Sequence, residues 1–351
     1  MIATHDASSA ASPLPSPCAA ARPLRIAIIG CGHIARLVYL PILLNHVCHG
    51  EVTVAALCDV RREAAGALAA GGSGFPDARI YPDAREMLRR ESLDAALVLT
   101  SETQNTATAR LVQAAGVAVY LEKPPAQDLQ ELASMTEAEK RGEGLVYAAF
   151  NRRHVPLFRD IDRPASLLAR VRGVLARTDR AFDTFLFTGI HLVDSAQYFA
   201  RSGLVDWMIH CERNGTARWR LSGRLECGAS CELDFIPAGP RLEEHLILEY
   251  RDGSVRELHF PDPDPASAAE VRLVERRGDT VERDVMSPRE GDALDRMGYA
   301  PAFGRFVDHL RRGDLAGSPH RLASCVRDTE VLADMQACLR NRQGATLAGA
   351  A

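Results

Sequence analysis

The sequence predicts an α/β protein in two parts: a parallel sheet with helices on both faces, then an α+β domain on a mostly antiparallel open sheet. Three observations predict it. Apolar runs and amphipathic stretches alternate from Leu24 to Phe150, the pattern of right-handed βαβ crossovers. The first apolar run ends in Gly30-Cys31-Gly32-His33-Ile34-Ala35, a glycine turn between a strand and a helix. After Asn151 the texture changes to short, turn-punctuated segments of the kind that pair antiparallel.

The elements follow in order. Residues 24–29 form a short apolar run ending at glycine and read as a buried parallel strand. Residues 33–46 carry apolar side chains at helical spacing, 51–58 are a β-branched strand ending at Asp59, and 61–70 are a helix before the loop 71–74. A helix at 83–90, a strand at 94–100 and a helix at 103–115 stopping at Gly116 come next. Strand 117–121, helix 127–141 and strand 145–150 complete the first part. In the second, a helix at 189–200 precedes strands within 218–235 and at 243–250, 255–260 and 271–274, with turns at 237–240 and Asp252-Gly253. Residues 302–339 read as helical again, broken near 313–319. The expected boundaries are a flexible tail at 1–23, a dinucleotide-binding domain at 24–150, a substrate and oligomerisation domain at 151–340 whose last helices pack back on the first, and a tail at 341–351.

Composition narrows the function. At 351 residues the chain can bury two cores. A net charge of −4 offers no attraction to nucleic acid or an acidic membrane surface, and no apolar run is long enough to span a bilayer. The Ala/Ser/Pro-rich start lacks the basic and apolar regions of a secretory signal. Nine scattered cysteines, Cys227 and Cys231 the closest pair, read as reduced thiols of a cytoplasmic protein with no metal site. Only two of the 42 basic residues are lysine, Lys123 and Lys140, so each merits inspection.

Three groups of residues carry chemistry. In the glycine turn, Gly30 permits the tight turn and Gly32 lets the backbone approach a pyrophosphate, with Cys31, His33 and Ile34 completing a helix N-terminus that favours anions. Together with Asp59 at the end of the next strand, this is the context of a Rossmann fingerprint; a tight turn without ligand is the plainer alternative. Asp59 suits ribose hydroxyls and repels a 2′-phosphate, favouring NAD, while Arg61 and Arg62 leave NADP open. Second, Glu122-Lys123-Pro124 follows the strand 117–121, and the carboxyl ends of such strands face the ligand. Lys123 is either a proton-transfer group there or a surface lysine in a polar turn. Third, Gly189-Ile190-His191-Leu192-Val193-Asp194 sits at an expected helix start. Asp194 lies three residues beyond His191, on the same face, where it can orient the ring. A satisfied core histidine is the plainer alternative.

The glycine turn, Glu-Lys-Pro and Gly-x-His-x-x-Asp, in this order and spacing, resemble the Gfo/Idh/MocA oxidoreductase family, as do Phe150-Asn151-Arg152-Arg153 and the stretch 92–116. The resemblance implies NAD(P)-dependent oxidation or reduction of a sugar, cyclitol or related small molecule by a homodimer or homotetramer. It makes Lys123 the catalytic lysine and His191 the acid or base. It places Thr100, Ser101 and Glu122 on the nicotinamide side and Arg152 near cofactor or substrate. Two departures stand out. Phe187 occupies the position, four residues before the histidine, where the family often has aspartate, and Asn105 replaces the family's helix-side histidine, with Ser101-Glu102 in place of the usual Thr/Pro-Pro stretch. Two alternatives stay open: an NAD-dependent redox-assisted glycosidase, and a non-catalytic nucleotide-binding sensor or scaffold, which Phe187 favours.

Overall fold

The computed structural model describes residues 22–70, 75, 77–161, 163–181, 185–212, 218–260, 270–287, 292–340 and 346–349. The expected tail before Arg22, the loop 71–74 and residues 341–345 and 350–351 lie outside them.

The N-terminal sheet has six parallel strands in the order β3-β2-β1-β4-β5-β6. They are β1 (Leu24–Ile29), β2 (Val52–Cys58), β3 (Arg79–Tyr81), β4 (Ala95–Val98), β5 (Ala118–Leu121) and β6 (Val146–Ala148). Successive side chains of a strand point to opposite faces, and here each face has a core. Ile26 and Ile28 join one apolar cluster, and Ala27 and Ile29 join the other. This double burial explains the continuous apolar runs. Strand β3 has no counterpart in the sequence reading, because three residues on a sheet edge carry too little period to detect.

The first helix starts as a π-turn over Ala35–Tyr39 and continues as α1 (Leu40–Cys48). The Leu40 N–H donates to the Ala35 carbonyl, five residues back. Pro41, which has no N–H, follows at once. The widened turn ends with Tyr39 fully buried. Helix α8 (Tyr299–Arg312) packs back on this domain, setting Phe303 and Phe306 against Tyr120, whose ring stacks on Tyr147.

The second sheet has nine strands in the order β14-β13-β12-β11-β7-β10-β9-β8-β15, where β9 is Arg218–Leu225, β12 Ser254–His259, β13 Arg272–Arg277 and β14 Thr280–Met286. All neighbours are antiparallel except β7 (Leu168–Ala176) with β10 (Ser230–Ile236). Strand β11 (Glu243–Tyr250) alternates strictly, burying Glu244, Leu246, Leu248 and Tyr250. Helix α6 (Leu186–Ala200) lies on this inner face at Gly173, where a Cβ would stand 2.9 Å from the Leu192 side chain. At the C-terminus, where a tail was expected, β15 (Thr346–Gly349) pairs with β8 (Leu204–Glu212); backbone pairing at a sheet edge needs no marked side-chain pattern. Among the described residues no helix is long and apolar enough to cross a membrane.

The junction of the two parts holds two histidines in contact, His154 and His320, ring centroids 4.4 Å apart. Burial, reinforced by the Arg153 and Arg305 charges, pushes His154 down to about 3. Burial with the neighbouring His154 and Arg153 pushes His320 to about 2. Both folded values lie below those of a free imidazole, so between about pH 6.5 and these values the unfolded chain takes up protons that the folded chain refuses. Stability is therefore expected to fall on acidification, by up to about 1.4 kcal/mol per pH unit for each histidine. Chemical denaturation at stepped pH measures this, and His320→Gln should flatten the slope whatever it does to the absolute value.

Candidate active site

Strand β1 delivers the chain to Gly30, whose φ is +94° and whose N–H donates to the Cys58 carbonyl at 2.8 Å. A Cβ here would lie 2.5 Å from the Leu99 carbonyl oxygen, so only glycine makes this turn. At Gly32 a Cβ would meet nothing within 4 Å, leaving the open space a pyrophosphate needs beside the backbone. His33 is exposed, Ile34 is half-buried, and the two open the helix. Cys31 is a buried thiol pushed up to about 12 by burial and the Asp59 charge, so it packs and does not react.

Asp59 ties this turn to the end of β2. Its carboxylate accepts from the Cys31 N–H and the Arg61 N–H, each at 2.9 Å. Each oxygen keeps another lone pair, available to a ribose hydroxyl. The exposed Arg61 guanidinium is 3.8 Å away. These residues fit a dinucleotide.

The ends of β4 and β5 lie beside the turn and are stitched together by Asn105. Thr100 Oγ1 donates to Asn105 Oδ1 at 2.8 Å, and Asn105 Nδ2 donates to the Glu122 carbonyl at 3.2 Å. A buried amide thus fills the place of the expected histidine by joining two strand ends. Ser101 is exposed, and its carbonyl caps the next helix through the Gln104 and Asn105 N–H groups.

Glu122 is buried, and its carboxylate accepts from Tyr39 Oη and from the Lys123 N–H. Burial raises its pKa. Burial lowers that of Lys123, against the opposing pull of Glu122. The Lys123–Pro124 peptide is cis. Lys123 Nζ crosses to the second domain and donates to the Phe187 carbonyl at 3.2 Å. In an α-helix that carbonyl also faces the N–H four residues on, here that of His191. Lys123 Nζ therefore lies at the turn of α6 that carries His191, whose ring feels the lysine charge, and Phe187 contributes the backbone oxygen that holds it there.

The structure corrects two expectations about this helix. It starts at Leu186, so His191 lies in its second turn and not at its N-terminus. Gly189 is an interior residue, tucked 3.3 Å (as Cβ) from the Phe235 ring, and that tight contact is what the glycine serves. Asp194 does not orient the His191 ring: its Oδ1 accepts from Arg153 Nε at 2.8 Å and from Arg153 Nη2, while His191 Nδ1 has no partner among the described residues. A buried carboxylate takes the nearest guanidinium in preference to a neutral ring. His191 is 5 % exposed and stands 6.2 Å, edge-on, from the Phe150 ring. Burial, reinforced by Arg152, Lys123 and Arg177, pushes it well below the usual histidine range.

Arg152 is buried and gripped by Glu244, as is Arg177, whose Nη2 donates to Glu244 Oε2 at 2.6 Å. Burial alone would raise the Glu244 carboxyl, but the two guanidiniums outweigh it and hold it below the carboxylate range. Arg152 thus bridges the domain junction to β11 and adds positive charge beside His191 and Lys123. Sequence reasoning missed Tyr39, Arg177, Glu244 and the linking role of Asn105. The only signal for Glu244 was the alternation of β11, and with Glu243 beside it the phase could not be chosen.

The chain has counterparts in known proteins. The description "Oxidoreductase family, NAD-binding Rossmann fold" (GFO_IDH_MocA) matches residues 24–150. "D-glucoside 3-dehydrogenase" of Escherichia coli is 30% identical over 254 residues, 66% of this chain and 68% of that protein. "Putative oxidoreductase YceM" of Salmonella typhimurium is 29% identical over 245 residues, 67% and 72% of the two chains. A dehydrogenase from Chromobacterium violaceum shares the fold with a TM-score of 0.76 at 18% identity, over 92% of this chain and 98% of that one. Sequence and architecture agree, and the chain belongs to the Gfo/Idh/MocA family of NAD-binding oxidoreductases.

Proposed function

We propose that the chain interconverts a secondary alcohol and a ketone on a sugar-like ring, with NAD as the preferred cofactor. The observation that carries this reading is Lys123 Nζ reaching from the end of β5 to the Phe187 carbonyl, on the turn of α6 that carries His191. A bound nicotinamide supplies the hydride acceptor or donor. Everything else falls to this chain.

The Lys123 ammonium, now held on the Phe187 carbonyl, can turn its remaining hydrogens to the carbinol oxygen and stabilise negative charge growing there. His191, whose buried Nδ1 has no partner among the described residues, is the candidate base. Its depressed basicity keeps it unprotonated in the oxidative direction, so it can accept the hydroxyl proton, and it returns the proton in reduction. Glu122, anchored by Tyr39, fixes the lysine backbone. Arg152 and Arg177, fixed by Glu244, add positive potential that favours the oxyanion over the alcohol. Asp59 supports NAD, since its charge next to the turn repels a 2′-phosphate. The named activity of the 30% identical relative supports C3 of a glycoside as the reacting carbon.

The test is purified protein with NAD or NADP and a panel of D-glucosides and their 3-keto forms, followed by nicotinamide absorbance. Turnover faster with NAD is expected. Bound cofactor with no turnover on any carbinol would overturn the proposal. Release of aglycone that needs NAD but leaves its absorbance unchanged would assign the redox-assisted glycosidase instead.

A further inference from the structure

A second cavity, of about 860 Å³, is lined by none of the glycine-turn residues, Lys123, Arg152 or His191. It shares only Arg153 and Asp194 with the surroundings of the active site. The segment after the domain junction contributes Arg153, His154 and Arg159; α8 contributes Arg305 and His309; His320 closes it from the C-terminal part.

The charges in this wall do not cancel. Its acids are Asp194, Glu226 and Asp328, set against the five arginines Arg153, Arg159, Arg201, Arg305 and Arg327, and Asp194 is matched by Arg153. Arg327 has Glu330 at 2.7 Å. Arg159 and Arg305 have no acidic partner among the described residues, and both are exposed to the cavity side of the molecule. Their positive charges are felt by His154, and that of Arg305 also by His320. His320 is 5 % exposed, and its Nδ1 has no partner among the described residues. Guanidiniums and a buried, unpartnered imidazole gathered in one hollow form a donor set that an anion completes. Phe158 and Phe199 supply an apolar wall, their rings edge-on with centroids 5.8 Å apart.

We propose that this cavity binds a small organic anion carrying two or more negative charges, as phosphate or carboxylate groups, with Arg159 and Arg305 holding the charges, His320 offering a neutral ring N–H, and Phe158 and Phe199 facing the carbon skeleton. The site is independent of the redox reading, since none of the proposed catalytic residues takes part.

Calorimetric titration of the full chain, saturated with NAD so that the glycine turn is filled, tests it with pyrophosphate in one arm and citrate in the other. One anion site per chain is expected, weakened at least tenfold in Arg159→Gln/Arg305→Gln and unchanged in Lys123→Ala. The His154 and His320 ring resonances should shift in the NMR spectrum as it fills. The stronger arm identifies phosphate or carboxylate. Absence of binding in both arms, or equal binding by the double variant, would overturn the proposal, as would loss of binding in Lys123→Ala, which would place the anion in the active cleft.

Discussion

Lys123→Ala is expected to lower turnover by about 10²–10⁴-fold, the range that a positioned proton-transfer or charge-stabilising group supplies, while cofactor affinity changes little. The two effects separate because Lys123 Nζ reaches away from the glycine turn to the Phe187 carbonyl, whereas Gly30, Gly32 and Asp59 form a distinct, self-braced unit. The substitution also removes one of the charges that depress His191. The histidine should then titrate at higher pH, and the acid limb of the residual activity should move upward. Stopped-flow hydride transfer and a fluorescence titration of cofactor check the two halves. Undiminished turnover would remove the lysine from catalysis. A parallel loss of cofactor affinity would recast it as part of the binding site.

Arg153→Met should be the most damaging single change to stability. Arg153 is buried between Asp194 and Asp328, both 1 % exposed, and its guanidinium also covers the Phe150 ring at 4.9 Å. Removing it leaves two buried carboxyls with no ion-pair partner among the described residues, and breaking a buried ion pair in this way costs about 3–5 kcal/mol. The sign of its pH dependence follows from the carboxyls. Burial already raises both above their unfolded values, and losing the cation raises them further. A raised acid binds its proton in the folded state, so its penalty is absent below the unfolded value and grows as pH rises. The deficit should therefore be larger at about pH 8 than at about pH 5. Urea unfolding of wild type and variant at both values measures it. In an Asp328→Asn background the same substitution should cost less, because one stranded carboxyl has gone.

These expectations show which features are local and which are not. Strands β1, β2, β4 and β5 were legible because double burial writes itself as continuous apolar runs. Gly30 and Asp59 were legible because the turn geometry and its acid are set within one βαβ unit. Lys123 was legible from its place after a strand and from the scarcity of lysine. Helix α6 was read one turn short because Gly189 looks like a boundary in sequence, while in three dimensions it makes room for Phe235.

By itself, then, the sequence determined the two-part fold and the glycine turn after the first strand, and it singled out Lys123 and His191 as candidates, all of which rest on spacing along the chain. Only the tertiary structure decided the partners. Asp194 belongs to Arg153 and not to His191, Glu244 binds Arg152 from 92 residues away, and Phe187 serves through its carbonyl. The physical reason is that a buried charge takes the best-placed opposite charge wherever the fold brings one. Period and propensity fix which face of an element is buried, but not what meets it there.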